Sequence, residues 1–591
     1  MQQLSERTDP YLNHAPTSEF IVRWSARVAL AWSVGYLGYR VAFTLAGTSP
    51  LAALLLLLAE VLSVAVFALR MRAASAAPME VIRGADAPTP EVTAVVDATG
   101  ASIDELRVTL VSCRRVRGLL RVVVVDRDGS RWLRSLAERF DATIADPGVS
   151  SFSLAAGLSS TWALQLSAGD LPMPDLLEIA APQCSAPHVA VIQLGVEEAD
   201  PTSFEHDPTG RWALSPYEHQ VVRPSLARRG SVPWYGDVPA LVRTTAISAS
   251  EVNEQTTSVD LGILVQRNGG CVTVVPATLA RVRGSSSLAE SLAVRYERQR
   301  QLLRVALHPL RGLSRSSRFA HRLALITPLS AVQRVLLVSA ATISMVFAQV
   351  PIRAAGFDLL VIAVPSYLLR WNAHLLLGRG RLGPFSILRS ELRSLSVDLA
   401  LVGDAQRANR LTALVVSVLA LDVAVVVTAV SVWRDWGDRL PASTAASALV
   451  ITSGFLAIAM EVLLDAIARR QRRTQHRVKL GIVTCQFNEF DAQLVDLSIG
   501  GAGIVVAAPL GQVPAPGYVT TLSFRIPDAT GAWRKVSALV RVAHRVAESS
   551  DETRVGLTFD DPADAPLDAV VEFLTIDRRL VALGRRATEY V

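Results

Sequence analysis

The stretch LAALLLLLAEVLSVAVFAL, Leu51–Leu69, runs for nineteen residues with one charge, Glu60. A helix rises about 1.5 Å per residue, so such a run reaches across about 30 Å of hydrocarbon and must be covered by lipid or protein on every side. Val28–Ala46 precedes it at equal length. It is too long for a signal peptide, and no small-residue cleavage site follows it. Arg70 and Arg72 follow the second run, whereas Gly47–Pro50 between the two is uncharged. The positive-inside rule then places the N-terminus and everything after Arg72 in the cytoplasm. Arg40 and Glu60 lie inside these spans, where ionisable groups pair or do work, and a mutual ion pair is expected.

A second apolar block offers Val335–Phe347 with its flanks, Phe357–Leu369, Leu411–Val432 and Ala446–Ile467, making six spans in total. Between its two halves, the Arg-rich stretch 379–410 has an amphipathic period and is expected on the cytoplasmic face. Half of the chain is hydrophobic, too much for an ordinary soluble enzyme. The net charge of +6 is mostly arginine flanking apolar runs, which reads as topology and not as binding of a nucleic-acid polymer. The four cysteines (Cys113, Cys184, Cys271, Cys485) lie far apart, with no CxxC, and read as reduced core thiols.

Residues 84–312 alternate short Val-rich runs with polar stretches of helical length. VTAVVDA (92–98), LRVVVVDRDG (120–129), HVAVIQLG (188–195) and GCVTVVP (270–276) predict buried parallel strands. The pattern predicts an α/β sheet with helices on both faces, which binds ligands at the carboxyl ends of its strands. The last 110 residues change character: six short β-type runs, from VKLGIVTCQF to TRVGLTF, come at regular spacing and predict a small all-β barrel. The chain thus divides into a tail (1–19), two spans (20–72), an α/β domain (84–312), four spans with an amphipathic segment at about 376–410 (313–467), a barrel (468–577) and a tail (578–591).

The last span runs into ARRQRRTQHRVKL (468–480), with five arginines and a histidine within nine residues. Topology alone accounts for basic residues at a membrane exit. Some twenty residues later comes DLSIGG, Asp496–Gly501. RRxxxR followed by DxSxxG on a barrel resembles the PilZ domain, the cyclic di-GMP receptor module. The resemblance implies a binding set of Arg472, Arg473, Arg477, Asp496, Ser498 and Gly501. The chemistry suits that ligand. Guanidinium forks match phosphates and the guanine O6/N7 edge, a carboxylate accepts from guanine N–H groups, and glycine permits close backbone approach.

The whole arrangement, two spans, an α/β domain, more spans and a C-terminal barrel, resembles the catalytic subunit of bacterial cellulose synthase, a processive family 2 glycosyltransferase of the GT-A type regulated by cyclic di-GMP. YLGYRVAFTL (36–45), LLLLLAEVLSV (54–64) and LITPLSAVQR (325–334) carry the likeness in and near the membrane. The resemblance implies a bacterial inner-membrane protein with both other domains cytoplasmic.

The frame of the catalytic motifs is legible, but their acids are missing. LQLSAGDLPMPDLL (164–177) keeps the Pro-x-Pro register after the metal-binding DxD and places Ser167-Ala168-Gly169 where DxD belongs, with Asp170 one residue late. TTSVDLGILVQRNGG (256–270) has Thr256-Thr257-Ser258 in place of the catalytic-base motif TED. The QxxRW region reads ERQRQ (297–301), and the gating loop keeps only Phe385. Asp126 matches the uridine-side aspartate, so Asp126, Arg298 and Arg300 are possible residual nucleotide-binding residues, with no catalytic or metal-binding residue assigned.

Without these acids, general-base help and metal binding are lost together. The reading is a pseudo-glycosyltransferase: a membrane receptor for cyclic di-GMP that acts on a partner such as an active polysaccharide synthase or export complex and so regulates exopolysaccharide production. The alternative is a divergent active enzyme making an exopolysaccharide from a nucleotide-sugar, with Mg²⁺ and displaced acids such as Asp128, Asp170 or Asp260. Asp260 also has a plain role as a helix N-terminal charge.

Overall fold

The computed structural model describes residues 19–74, 88–198, 218–248, 256–282, 288–378, 386–399 and 477–575, with short gaps inside these stretches. The candidate spans Leu411–Val432 and Ala446–Ile467, the residues Arg472, Arg473, Asp128 and Phe385, and the tails at 1–18 and 578–591 lie outside the described residues.

The first two candidate spans form helices α1 (Glu19–Tyr39), continued by one wider turn over Arg40–Thr44, and α2 (Pro50–Ala74). Arg40 Nε lies 3.0 Å from Glu60 Oε2, and both side chains are buried. Tyr36 donates its hydroxyl hydrogen to the same carboxylate, and Arg40 donates to the Thr44 hydroxyl. The pairing and these hydrogen bonds offset part of the desolvation of the two charges. Among the described residues, Pro50–Ala74 and Arg315–Ser344 are long and apolar enough to cross a membrane, with mean hydropathies of 2.6 and 1.6.

The α/β domain is built on an eight-stranded sheet. Its strands are β1 (Val92–Asp97), β2 (Leu119–Val125), β3 (Thr143–Ile144), β4 (Trp162–Ser167), β5 (Leu171–Pro172), β6 (Val189–Glu198), β7 (Ala240–Arg243) and β8 (Cys271–Val282). The order is β3-β2-β1-β4-β7-β6-β8-β5. β1 runs parallel to β2 and β4, and β6 parallel to β8, whereas β7 runs antiparallel to β4 and β6.

The four Val-rich runs all form strands, but the sheet is mixed, not all-parallel. The central strand β4, WALQLS, carries only a weak apolar run and is fixed by its neighbours. Helix α3 (Ile103–Cys113) follows β1, with Ser102 and Glu105 forming a reciprocal capping box at its start. Leu106 and Leu110 of α3 join Ala94 and Val96 of β1 and Leu164 of β4 in the core of this domain.

Further along the chain come α4 (Ser258–Arg267), α5 (Leu288–Leu307), α6 (Ile326–Val346), α7 (Val364–Leu377) and α8 (Ser386–Leu399). The short apolar run at Val335–Phe347 is thus the end of a longer helix, α6, and Phe357–Leu369 leads into α7. α8 lies in the amphipathic segment. It inserts Glu391 between Arg70 and Arg334, which both bond to its carboxylate, and Ser330 Oγ donates to it at 3.0 Å.

The C-terminal barrel is closed by six antiparallel strands in the order β10-β11-β14-β13-β12-β9. They are β9 (Arg477–Phe487), β10 (Phe490–Ser498), β11 (Gly501–Val506), β12 (Val519–Pro527), β13 (Trp533–Ala547) and β14 (Thr553–Phe559). All six runs expected from the alternation form strands. In β13, Val536, Ala538, Val540 and Val542 point inward while their neighbours face out, the period of two that a half-buried strand requires. The chain then forms α9 (Asp564–Thr575), whose Ala569, Val570 and Phe573 complete the barrel core.

Candidate ligand-binding sites

Strand register assembles the barrel motif. β10 pairs with β9 so that Ser498 faces Arg477, and with β11 so that Ser498 faces Gly501 and Asp496 faces Gly503. The last arginine of the basic stretch and the DxSxxG segment therefore meet at one end of the barrel, although about twenty residues separate them in sequence. A register shift between Leu494 and Asp496 turns the strand there and sets the Asp496 side chain, 7% exposed, into the barrel wall. Ser498 Oγ donates to Gly501 O at 2.9 Å, closing the tight β10–β11 connection.

Gly501 has a packing reason to be glycine: a Cβ there would collide with the Leu557 carbonyl oxygen of β14. Its backbone approach is to a neighbouring strand. Arg554 on β14, half-exposed, reaches within 3.8 Å of Asp496 Oδ2 and adds a guanidinium to this end of the barrel. The motif did not include Arg554; the outward phase of TRVGLTF was the available signal.

The α/β domain places its candidates at the carboxyl ends of β1, β2 and β4. Asp126 follows β2 and is buried. Asp97 ends β1, and its Oδ1 accepts from Thr99 N at 3.1 Å. After β4, the loop Ser167-Ala168-Gly169 presents no carboxylate. Asp170 is buried and turned back, with Oδ2 accepting from Ser167 N at 2.7 Å. Among the described residues, no group of three or more carboxylate, histidine or cysteine side chains stands where it could hold a metal ion.

The segment Thr256-Thr257-Ser258 leads into a capped helix. Thr257 and Asp260 form a reciprocal capping box at the start of α4, and Arg304 Nη2 reaches the Asp260 oxygens at 2.8 and 2.9 Å. Burial pushes the Asp260 carboxyl up, but the bonds from Thr257 and Arg304 outweigh it and hold it below the usual carboxylate range.

Arg298 and Arg300 part company on α5. Arg300 is exposed and lies 3.8 Å from Glu297 Oε2. Arg298 lines a cavity of ≈ 90 Å³ together with Arg70, Arg223, Tyr235, Gln299 and His321, and Asp126 is not in that wall. The Arg223 guanidinium stacks 3.6 Å over the Tyr235 ring. Gln299 Oε1 and His321 Nδ1 are buried with no hydrogen-bond partner among the described residues. This polar chamber, built by segments far apart in sequence, was not legible from the motifs.

The PilZ domain family matches residues 469–575. No curated protein matches the chain. Among solved structures, the chain is similar to the mannosyltransferase PcManGT from Pyrobaculum calidifontis in complex with GDP-Man and Mn²⁺, at 14% identity and TM-score 0.39, over 55% of this chain and 97% of that one. It is also similar to glucosyl-3-phosphoglycerate synthase from Mycobacterium tuberculosis, at 11% identity and TM-score 0.26, over 38% and 81% of the two chains. The third is residues 1–349 of S. aureus TarS, at 11% identity and TM-score 0.26, over 52% and 90%. The family match and the closed six-stranded barrel agree with each other, and the C-terminal domain of this chain is a PilZ domain.

Proposed function

We propose that this chain is a cyclic di-GMP receptor of a bacterial inner membrane, in which the PilZ barrel binds the messenger and a glycosyltransferase-like domain no longer performs transfer. Its output is regulation of exopolysaccharide production through a partner such as a polysaccharide synthase or export complex. The observation that carries the reading is the register that sets Arg477 against Ser498 and Asp496 beside the β10–β11 turn. A ligand with two phosphates and two guanine edges suits arginine and carboxylate residues brought by register to one end of a barrel.

The loss of transfer is supported by the two converted motifs. Where a metal-binding pair would stand, the chain has Ser167 and Gly169; where the two acids of the base motif would stand, it has Thr257, which caps a helix, and Ser258, which begins it. Neither the Thr257 nor the Ser258 hydroxyl can take a proton from a sugar hydroxyl near neutral pH.

The test is calorimetric titration of the full chain in detergent with cyclic di-GMP, beside an Arg473→Ala, Arg477→Ala double variant. Saturable binding weakened at least about tenfold in the variant is expected, since charge-assisted bonds contribute roughly 1.5–3 kcal/mol each. Absence of binding at low salt would return the arginines to a membrane collar. Sustained release of free nucleotide from a nucleotide-sugar, abolished by Asp126→Ala, would instead make the chain an active enzyme.

A further inference from the structure

Helix α9 belongs to two cores at once. Ala569, Val570 and Phe573 pack into the barrel, where Leu494 and Leu497 of the motif strand β10 are their neighbours in the same core. Val571, fully buried, packs into the core of the α/β domain instead. Successive helix positions point about 100° apart. One face of α9 is therefore pinned to the ligand-binding body and the adjacent face to the other domain.

A charged rim ties the same helix down. Glu572 Oε1 accepts from Arg115 of the α/β domain at 2.7 Å, and its Oε2 lies 3.9 Å from Arg534 on β13. Burial lowers the Arg115 guanidinium's proton affinity, and Glu572, Asp528 and Asp568 of the barrel domain oppose that.

Arg115 stands just past the end of α3, and α3 holds the loop after β4. Gly169 N donates to Thr109 Oγ1 at 2.8 Å and to Glu105 O at 3.1 Å, both on α3. Gly169 has φ +98°, a conformation that glycine adopts without penalty. Val108 of α3 packs against Leu171, the last residue of the 167–171 loop. One short helix thus touches the barrel's closing helix at one end and the 167–171 loop along its side.

We propose that α9 and α3 form a coupling element through which the ligand state of the barrel sets the order of the 167–171 loop. This inference rests on the reading of the barrel as a cyclic di-GMP receptor. Ligand on β10 tightens the seat of α9, α9 steadies α3 through Val571 and Glu572, and α3 holds the Gly169 amide more firmly. The surface that changes is the carboxyl end of the sheet, where the degenerate loop stands in place of a catalytic one.

The experiment is hydrogen exchange by mass spectrometry on the full chain in detergent, with and without cyclic di-GMP, following peptides that cover 162–172. Binding is measured by calorimetry on the same samples. The ligand is expected to slow exchange in 162–172 about fivefold or more, the lower end of ordinary allosteric coupling. Val571→Ser and, separately, Arg115→Met are expected to keep cyclic di-GMP binding and lose the slowing. Arg115→Met lies outside the barrel, so it reports even if Val571→Ser misfolds.

Binding with unchanged exchange in 162–172 overturns the coupling and leaves the receptor reading standing. Slowing that survives in both variants overturns the route through α9. Failure of the wild-type chain to bind overturns the receptor reading, and the coupling falls with it.

Discussion

The Asp496 carboxylate rests on the bare Cα of Gly503: a Cβ at position 503 would lie 2.7 Å from both of its oxygens. Real Cβ atoms do not approach that closely, so Gly503 is what lets the carboxylate lie inside the wall beside Arg554 and the β10–β11 turn. Gly503→Ala is expected to displace Asp496 and to weaken cyclic di-GMP binding about tenfold, with an overpacking cost of about 1–3 kcal/mol in stability. Gly511→Ala, where a Cβ meets nothing within 4 Å, is the matched control. Equal affinity in the two variants would remove Asp496 from the ligand site.

Glu391 is expected to make stability acid-sensitive. Burial alone would raise its carboxyl, but Arg334, Arg70 and the Ser330 hydroxyl bring it down to about 2. The folded value lies below the unfolded one, so the contribution is fully present above about pH 4.5 and is lost as pH falls towards 2, a difference of about 3 kcal/mol. Thermal unfolding in detergent across that window should show the loss in wild type and a flatter profile in Glu391→Gln. At pH 7 the variant should be less stable by about 3–5 kcal/mol, because two arginines are left buried without their carboxylate. A variant as stable as wild type at pH 7 would show that the cluster is hydrated in solution.

Thr257 and Asp260 should behave as a helix cap and not as catalytic groups. Thr257→Ala is expected to cost about 1 kcal/mol of stability, the usual loss for an N-cap hydroxyl. Asp260→Ala should destabilise as well, and the difference from wild type should shrink as pH falls through the aspartate range, because the folded carboxyl titrates below the unfolded one. Cyclic di-GMP affinity should stay unchanged in both. A stability difference that grows towards low pH would contradict the assignment.

The Arg40–Glu60 pair can be tested by a double-mutant cycle. Glu60→Leu leaves a buried guanidinium without its carboxylate and should cost about 3–5 kcal/mol. The double variant Arg40→Met, Glu60→Leu removes both charges and should recover most of that loss. If the double variant falls as far as the sum of the single ones, the two residues do not act as a pair.

Several parts of the molecule were legible along the chain because their causes are local. The alternation in β13 and the Val-rich runs of β1 and β2 are written into a few consecutive residues, and backbone periodicity reads them directly. Asp260 was legible as a helix N-terminal charge, and the Thr257–Asp260 cap that holds it spans only four residues. β4 was harder: WALQLS has little apolar run of its own, and its place at the sheet centre comes from β1 on one side and β7 on the other. The antiparallel course of β7 likewise has no signature in ALVR.

By itself the sequence determined which segments are apolar throughout, which alternate, and where arginines and acids stand relative to them. That was enough for an α/β domain, a terminal barrel and the DxSxxG turn, because each depends on neighbours within a few residues. Only the tertiary structure decided that Arg554 lies beside Asp496, that Glu391 is held between Arg70 and Arg334, and that Val571 sits in a different core from Val570. Those contacts join positions tens to hundreds of residues apart. They are selected by packing and by charge pairing in buried space, which no stretch of chain short enough to have a period can encode.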